Sequence, residues 1–236
     1  MENTPGPIRP AFMDFMRPGE RIAALVYLPV HIFALPTLLP YLAAVFPDMN
    51  ALDMNVLYYI IGFVYILTLC WRFLRRSFDT VLDAPGRFFL SVVSGYAMDF
   101  MLSLLLSYAL IIFGLTLTSP NNEAITGMAP LGYNRLVAIS VFLAPIVEEV
   151  LFRGLVFGAL AARHRAAAWI VSVLVFSVYH VWQFAVSSGS LLVLISAALY
   201  VPSSLAFNWC YERSGTIWAP IALHMLSNAI SLSVTM

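Results

Sequence analysis

The stretch APIVEEVLFRGLVFGAL, residues 144–160, sets two adjacent carboxylates, Glu148 and Glu149, and one cation, Arg153, in a run otherwise built of hydrocarbon. Ionised groups at mid-bilayer cost at least ~2.5–3.5 kcal/mol each on insertion scales, so they persist where they are paired, wetted or needed for chemistry. The rest of the chain says that a bilayer is the right frame. Of its 236 residues, 61% are hydrophobic and 10% charged, and the mean hydropathy is +0.89. An average soluble domain is about one quarter charged. The composition implies an integral, all-α, polytopic membrane protein.

A spanning helix needs about 20 mostly apolar residues, and seven segments qualify: 22–46, 55–74, 88–117, 135–161, 167–187, 190–211 and 216–235. Pro29, Pro36 and Pro40 fall in the first. Each removes a backbone donor, so this span is expected to be broken or partly re-entrant, which would raise the count to eight. Residues 1–21 read as a polar lead, 22–118 as N-terminal membrane helices, and 135–235 as the core that carries the polar residues. The lead lacks the continuous apolar run of a signal peptide. Cys70 and Cys210 make no metal spacing and are expected as free thiols.

Every basic residue is an arginine, and ten of the twelve fall in alternate loops on one side: Arg9, Arg17, Arg21, Arg72, Arg75, Arg76, Arg87, Arg163, Arg165 and Arg213. Arg135 falls on the other side, and Arg153 belongs to neither. The arginine-rich side is expected to be cytoplasmic, with the N-terminus inside and the C-terminus outside. Net charge is zero and no polybasic run exists, so the partner is the lipid bilayer and not nucleic acid.

Further polar residues sit inside apolar segments: His180, His224, Asn228 and Asp99. Glu149 lies fourteen residues before Arg163, and His180 fourteen after Ala166, which puts each roughly 20 Å from the arginine-rich side at 1.5 Å per residue. His224 and Asn228 fall about 14 and 20 Å deep by the same rise, so these groups share one layer. Glu149 and Arg153, at i and i+4, can neutralise each other within one helix, and a structural role is the better reading of that pair. Glu148 points about 100° away and has no sequence-local cation. His224 and Asn228 form a second i,i+4 stripe. His31 and His164 fit no pattern and are not taken as catalytic; Asp99 is left to cap a helix, line a cavity or pair with an arginine.

A carboxylate and two imidazoles in a restricted cavity allow two hydrolytic schemes. In one, Glu148 takes a proton from water that His180 helps to hold, while His224 and Asn228 stabilise an oxyanion. In the other, Glu148, His180 and His224 bind zinc with water in the fourth position. The chain has no HExxH, and Ser177 near His180 lacks the GxSxG context of a nucleophile.

The motifs carry a resemblance. EEVLFRG, from Glu148, resembles the EExxxR motif of the CAAX prenyl protease family, also called the CPBP or Abi family; Phe176 to His180 matches its FxxxH, and His224 to Asn228 its HxxxN. The resemblance covers about 135–230. It implies a glutamate-dependent intramembrane endopeptidase, without a cofactor, with Glu148, His180, His224 and Asn228 catalytic and Glu149, Arg153 and Phe176 supporting. It implies a membrane-associated peptide or protein as substrate, prenylated in some members. The lysine-free composition hints at a bacterial cytoplasmic membrane. The competing class is a non-catalytic immunity or scaffold protein, or a proton-coupled transporter using the same carboxylates, though transporters of that kind usually show internal repeats and none is visible.

Overall fold

The computed structural model describes residues 15–235, and the first fourteen residues of the polar lead lie outside the described part. The described chain is helical almost throughout. In order run α1 Pro18–Pro29, α2 Leu35–Val45, α3 Ala51–Leu69, α4 Trp71–Asp83, α5 Pro85–Ile112, α6 Pro120–Gly127, α7 Ala129–Val137, α8 Ala144–Glu149, α9 Gly158–Ala161, α10 Arg165–Tyr179, α11 Trp182–Ser188, α12 Val201–Ser214 and α13 Trp218–Thr235. Four helical runs are long and apolar enough to cross a membrane: Pro18–Leu42, Ala51–Leu69, Pro85–Ile112 and Leu191–Ser214. The bent pair α10–α11 makes a fifth. The helices bearing the acidic pair and His224 are not among them, and both carry the polar residues of the site.

The prolines of the first span do not break it. Helix continues from α1 to α2 through a π-helical stretch, Val30–Ala34, with Pro36 in the first turn of α2. The π stretch lies between Pro29 and Pro36, and single π turns occur mostly in this way, inside longer helices. The same device brackets the acidic pair: π-helical stretches at Ala138–Leu143 and Val150–Phe157 flank the six residues of α8.

The segment expected as one helix over 167–187 is instead bent by 43° between Tyr179 and Trp182. The cause is local. The His180 ring sends Nδ1 2.8 Å to the carbonyl of Phe176, one turn back, and Val181 N–H closes a tighter turn onto Val178 at 3.0 Å. A side chain competing for a helix carbonyl bends the helix there.

Segment 55–74 also divides. After α3, α4 carries Arg72, Arg75, Arg76, Asp79 and Asp83, with Phe73, Leu74 and Ser77 buried. Apolar residues on one face and charges on the other are what an interfacial helix needs. Cys70 and Cys210 are free and buried, as expected.

The helix of the acidic pair lies at the centre. Val147, Val150, Leu151 and Phe152 are all fully buried, and a helix apolar all round belongs in the middle of a bundle. One apolar cluster gathers Ile66, Phe73, Leu74, Val147, Leu151 and Tyr211 on one side of it. Another packs Phe152 with Phe176, Tyr179, Phe207, Cys210 and Leu223 on the other. Against lipid no hydrophobic force pulls helices together, so contact depends on close approach. Gly95 supplies it where α5 meets α12 and α13: a Cβ there would lie 2.6 Å from Leu223 Cδ2 and 3.4 Å from Cys210 Cβ.

Ion pairs sort the two ends of the bundle. Arg76 grips Glu20 at 2.9 Å and Arg165 grips Glu212 at 2.6 Å, both among residues assigned to the arginine-rich side. Arg135 binds Asp53 at 2.6 Å at the opposite end.

Candidate active site

Glu148 and Glu149 leave α8 in different directions, and their partners divide accordingly. Glu149 is tied through one oxygen: its Oε1 accepts from Arg153 Nη1 at 3.0 Å and from His224 Nδ1 at 2.8 Å, while its Oε2 is buried away from the cavity wall with no hydrogen-bond partner among the described residues. Arg153 is fully buried and spends its other donors on neighbours. Its Nε reaches Asn208 Oδ1 at 3.1 Å, and Nη2 reaches the Ser204 hydroxyl at 2.8 Å and carbonyl at 3.2 Å. The guanidinium carbon lies 4.2 Å from the centre of the Phe176 ring and 5.1 Å from that of Phe207. A planar fork that stacks and bonds on every edge is a structural use of arginine.

Glu148 faces a cavity of about 560 Å³ whose wall also includes His180, His224 and Asn228. Its Oε1 accepts from the Tyr59 hydroxyl at 2.8 Å. Its Oε2 is buried and has no hydrogen-bond partner among the described residues. The Nε2 atoms of His180 and His224 stand 3.7 and 4.0 Å from that oxygen, beyond a direct hydrogen bond.

The tautomers follow from the other ring nitrogens. A carbonyl can only accept, so His180 Nδ1 carries a proton toward Phe176, and in the neutral ring Nε2 offers a lone pair to the cavity. His224 Nδ1 donates to the Glu149 carboxylate, an arrangement that also suits a doubly protonated ring with Nε2–H directed at the cavity. The rings are held flat: His180 stacks on Tyr200 with centroids 4.4 Å apart, and His224 on Phe207 at 4.7 Å. Asn228 is anchored by one amide hydrogen to the Ser140 carbonyl at 2.8 Å. Among the described residues, no group of three His, Cys, Asp or Glu side chains is arranged to hold a metal ion.

The residues named from the sequence therefore meet. Glu148, His180, His224 and Asn228 share the cavity wall with Phe176, while Glu149 and Arg153 pack behind it, the guanidinium against the Phe176 ring. Asp99 lines the same cavity and accepts from Ser203 and Ser227. His31 does not line the cavity; it is buried 3.1 Å from the Tyr179 hydroxyl, stacked on Tyr58, with its ring centroid 6.1 Å from that of Tyr59. Sequence reading missed Tyr59, Ser204 and Asn208. A signal existed: Ser204 and Asn208 stand at i and i+4 in an apolar segment, the spacing that marked His224 and Asn228, and Tyr59 lies well inside a span, away from the interfaces where tyrosine is ordinary.

The fold and these side chains define a polytopic helical membrane protein with a buried carboxylate and two imidazoles around one cavity. Residues 130–230 match the family described as Type II CAAX prenyl endopeptidase Rce1-like. The chain is also 27% identical over 191 residues to a Bacillus subtilis protein named "Putative membrane peptidase YdiL", covering 77% of this chain and 72% of that one. No solved structure matches. Over residues 130–230 the chain is similar to the Rce1-like CAAX protease family, and over most of its length to a membrane peptidase.

The division between the two carboxylates has a measurable consequence. Arg153→Met strands Glu149 in the core, and breaking one side of a buried pair typically costs ~3–5 kcal/mol. The melting temperature in detergent should fall, and the double variant Glu149→Gln with Arg153→Met should recover part of the loss. A double variant less stable than Arg153→Met would contradict this account of the pair.

Proposed function

We propose that the protein is an intramembrane endopeptidase in which Glu148 activates the attacking water. The observation that carries this reading is the free Oε2 of Glu148, buried and facing the cavity within 4.0 Å of two imidazoles. A carboxylate held by one oxygen, through Tyr59, keeps the other for a proton. Water between Oε2 and the His180 lone pair gives one proton to Glu148, and its oxygen adds to the peptide carbonyl. The developing oxyanion is stabilised by His224 Nε2–H and by the second amide hydrogen of Asn228. As the C–N bond breaks, Glu148 returns the proton to the leaving amine.

The core that does this is 135–235, served by helices from 22–118 that supply Tyr59 and part of the cavity wall. The seven apolar segments are seven crossings, with α10 and α11 together as one. The substrate is a membrane-associated peptide or protein, prenylated or not. A scaffold has no use for a carboxylate that keeps one oxygen open beside two oriented imidazoles, and a proton-coupled transporter, which could use one, usually shows internal repeats, of which none is visible.

The arginine asymmetry supports an N-terminus in the cytoplasm and a C-terminus outside, in what we read as a bacterial cytoplasmic membrane. Cysteine placed at Asn121 should be labelled in intact cells by a membrane-impermeant reagent, and cysteine at Arg213 only after permeabilisation; equal access to both from the same side would overturn the assignment.

Mass spectrometry of membrane peptides from cells carrying the wild type or Glu148→Gln tests the chemistry. Loss of a general base typically costs 10²–10⁴-fold, so Glu148→Gln or His180→Ala should abolish product peptides while leaving protein in the membrane, at roughly those factors. Asn228→Ala should slow turnover by about 10²–10³-fold. The imidazole lone pairs are also what a metal would use, so prolonged chelation is the control. Activity is expected to survive it, and loss with recovery on adding zinc would move Glu148, His180 and His224 to the role of ligands.

A further inference from the structure

His31 is fully buried, fits none of the motifs and has no part in the proposed reaction, yet its ring and its carbonyl both meet tyrosines beside Glu148. The prolines of the first span prepare this. In the π-helical stretch the Leu35 N–H bonds back five residues to the Val30 carbonyl. The next donor in that register would be residue 36, a proline with no N–H, so the His31 carbonyl loses its helical partner. The Tyr58 hydroxyl takes that carbonyl at 2.9 Å. The ring stacks on Tyr58, with centroids 4.5 Å apart, and its Nε2 lies 3.1 Å from the Tyr179 hydroxyl. A phenylalanine would pack among Tyr27, Tyr58 and Tyr179 without burying two ring nitrogens.

Counting protons fixes the direction of these bonds. A carbonyl only accepts, so Tyr58 spends its one proton on His31 and can only accept from Tyr179, 3.1 Å away. Glu148, as the base, is a carboxylate and only accepts, so Tyr59 spends its proton on Oε1 at 2.8 Å. Tyr179 is hydrogen-bonded to Tyr59 as well. Its single proton thus belongs between two hydroxyl oxygens that have none to give back, and His31 Nε2 is the donor to Tyr179. The opposite arrangement would set these hydroxyls lone pair against lone pair. It would also place a proton on His31 Nδ1, which is buried with no partner among the described residues. A bare N–H is the rarer orphan.

We propose that His31 is a positioning residue for Glu148: its Nε2–H, acting through Tyr179, turns the hydroxyls of the cluster toward Oε1 and leaves Oε2 for water. The inference rests on the reading of Glu148 as the base. A hydroxyl that accepts a hydrogen bond becomes a stronger donor, so the Tyr59 bond to Oε1 is strengthened from a ring that lies outside the cavity wall. A firm hold on Oε1 fixes the carboxylate plane. It keeps Oε2 aimed between His180 and His224, whose Nε2 atoms stand 3.7 and 4.0 Å away.

The test has a structural and a functional arm, both on the full-length protein. With histidine carrying the NMR-active nitrogen isotope, the His31 signals, assigned by their loss in His31→Gln, should show one ring proton, on Nε2. A proton on Nδ1 overturns the proposal. The functional arm follows the membrane peptides that disappear from cells with Glu148→Gln. At equal amounts of protein in the membrane, their formation should fall ~10-fold in His31→Phe and in Tyr179→Phe, and by no more in the double variant. His31→Gln, whose side-chain amide also donates, should restore it. Tyr179→Phe removes only the connecting hydroxyl and should melt near the wild-type temperature, so this arm stands even where His31→Phe fails to accumulate. An unchanged rate in Tyr179→Phe, equal losses in His31→Phe and His31→Gln, or losses that multiply in the double variant each overturn the proposal. Peptides that persist in Glu148→Gln refute the base assignment, and this proposal with it, whichever nitrogen of His31 carries the proton. A loss confined to Glu148→Gln refutes this proposal alone.

Discussion

A guanidinium with no exposed surface, held in the middle of a hydrophobic bundle by Glu149, is the constraint on which the rest depends. Neither charge is tolerable alone at that depth. Together they fix one helix against α12, through Asn208 and Ser204, and against α13, through His224. The aromatic faces of Phe176 and Phe207 close over the cation. Three helices are thus brought into register at the same depth. The register of α13 is then set, because His224 reaches Glu149 through Nδ1 and must present Nε2 to whatever stands beside it.

What stands beside it is Glu148, and its freedom follows from its neighbour's lack of it. Adjacent residues on a helix diverge by about 100°, so only one of the two carboxylates can reach Arg153. The other is left with a single protein donor, Tyr59, and an oxygen open to the cavity. Catalytic groups are commonly kept in states that stability alone would not select. On the proposed reading, a carboxylate beside two imidazoles held from behind through Nδ1 is such a state, whereas Glu149 and Arg153 form the frame that supports it.

The spacing of polar residues along single helices was legible in the sequence, because helix geometry turns i,i+4 into a shared face. EEVLFRG, the Phe176–His180 pair and the His224–Asn228 pair each state a local fact, and the shared depth of the groups followed from counting residues. Contacts between distant segments were not legible. Tyr59 reaches Glu148 across 89 positions, and Asn208 reaches Arg153 across 55; no local pattern encodes either. The helix bends were misjudged in both directions for one reason. Prolines in the first span advertised a break that a π-helical stretch absorbed, while the real bend, at His180, came from a side chain taking a carbonyl that propensity assigns to the backbone.

The central claim, that one carboxylate is frame and the other chemistry, is tested most directly by comparing Glu148→Gln with Glu149→Gln in the same detergent by thermal melting. Removing the Glu148 charge relieves an uncompensated buried group, so its melting temperature should equal or exceed that of the wild type. Removing the Glu149 charge strands Arg153, and the melting temperature should fall by several degrees, in line with a loss of about 3–5 kcal/mol. Equal losses for the two variants, or a larger loss for Glu148→Gln, would contradict the division and make both carboxylates parts of one structural network.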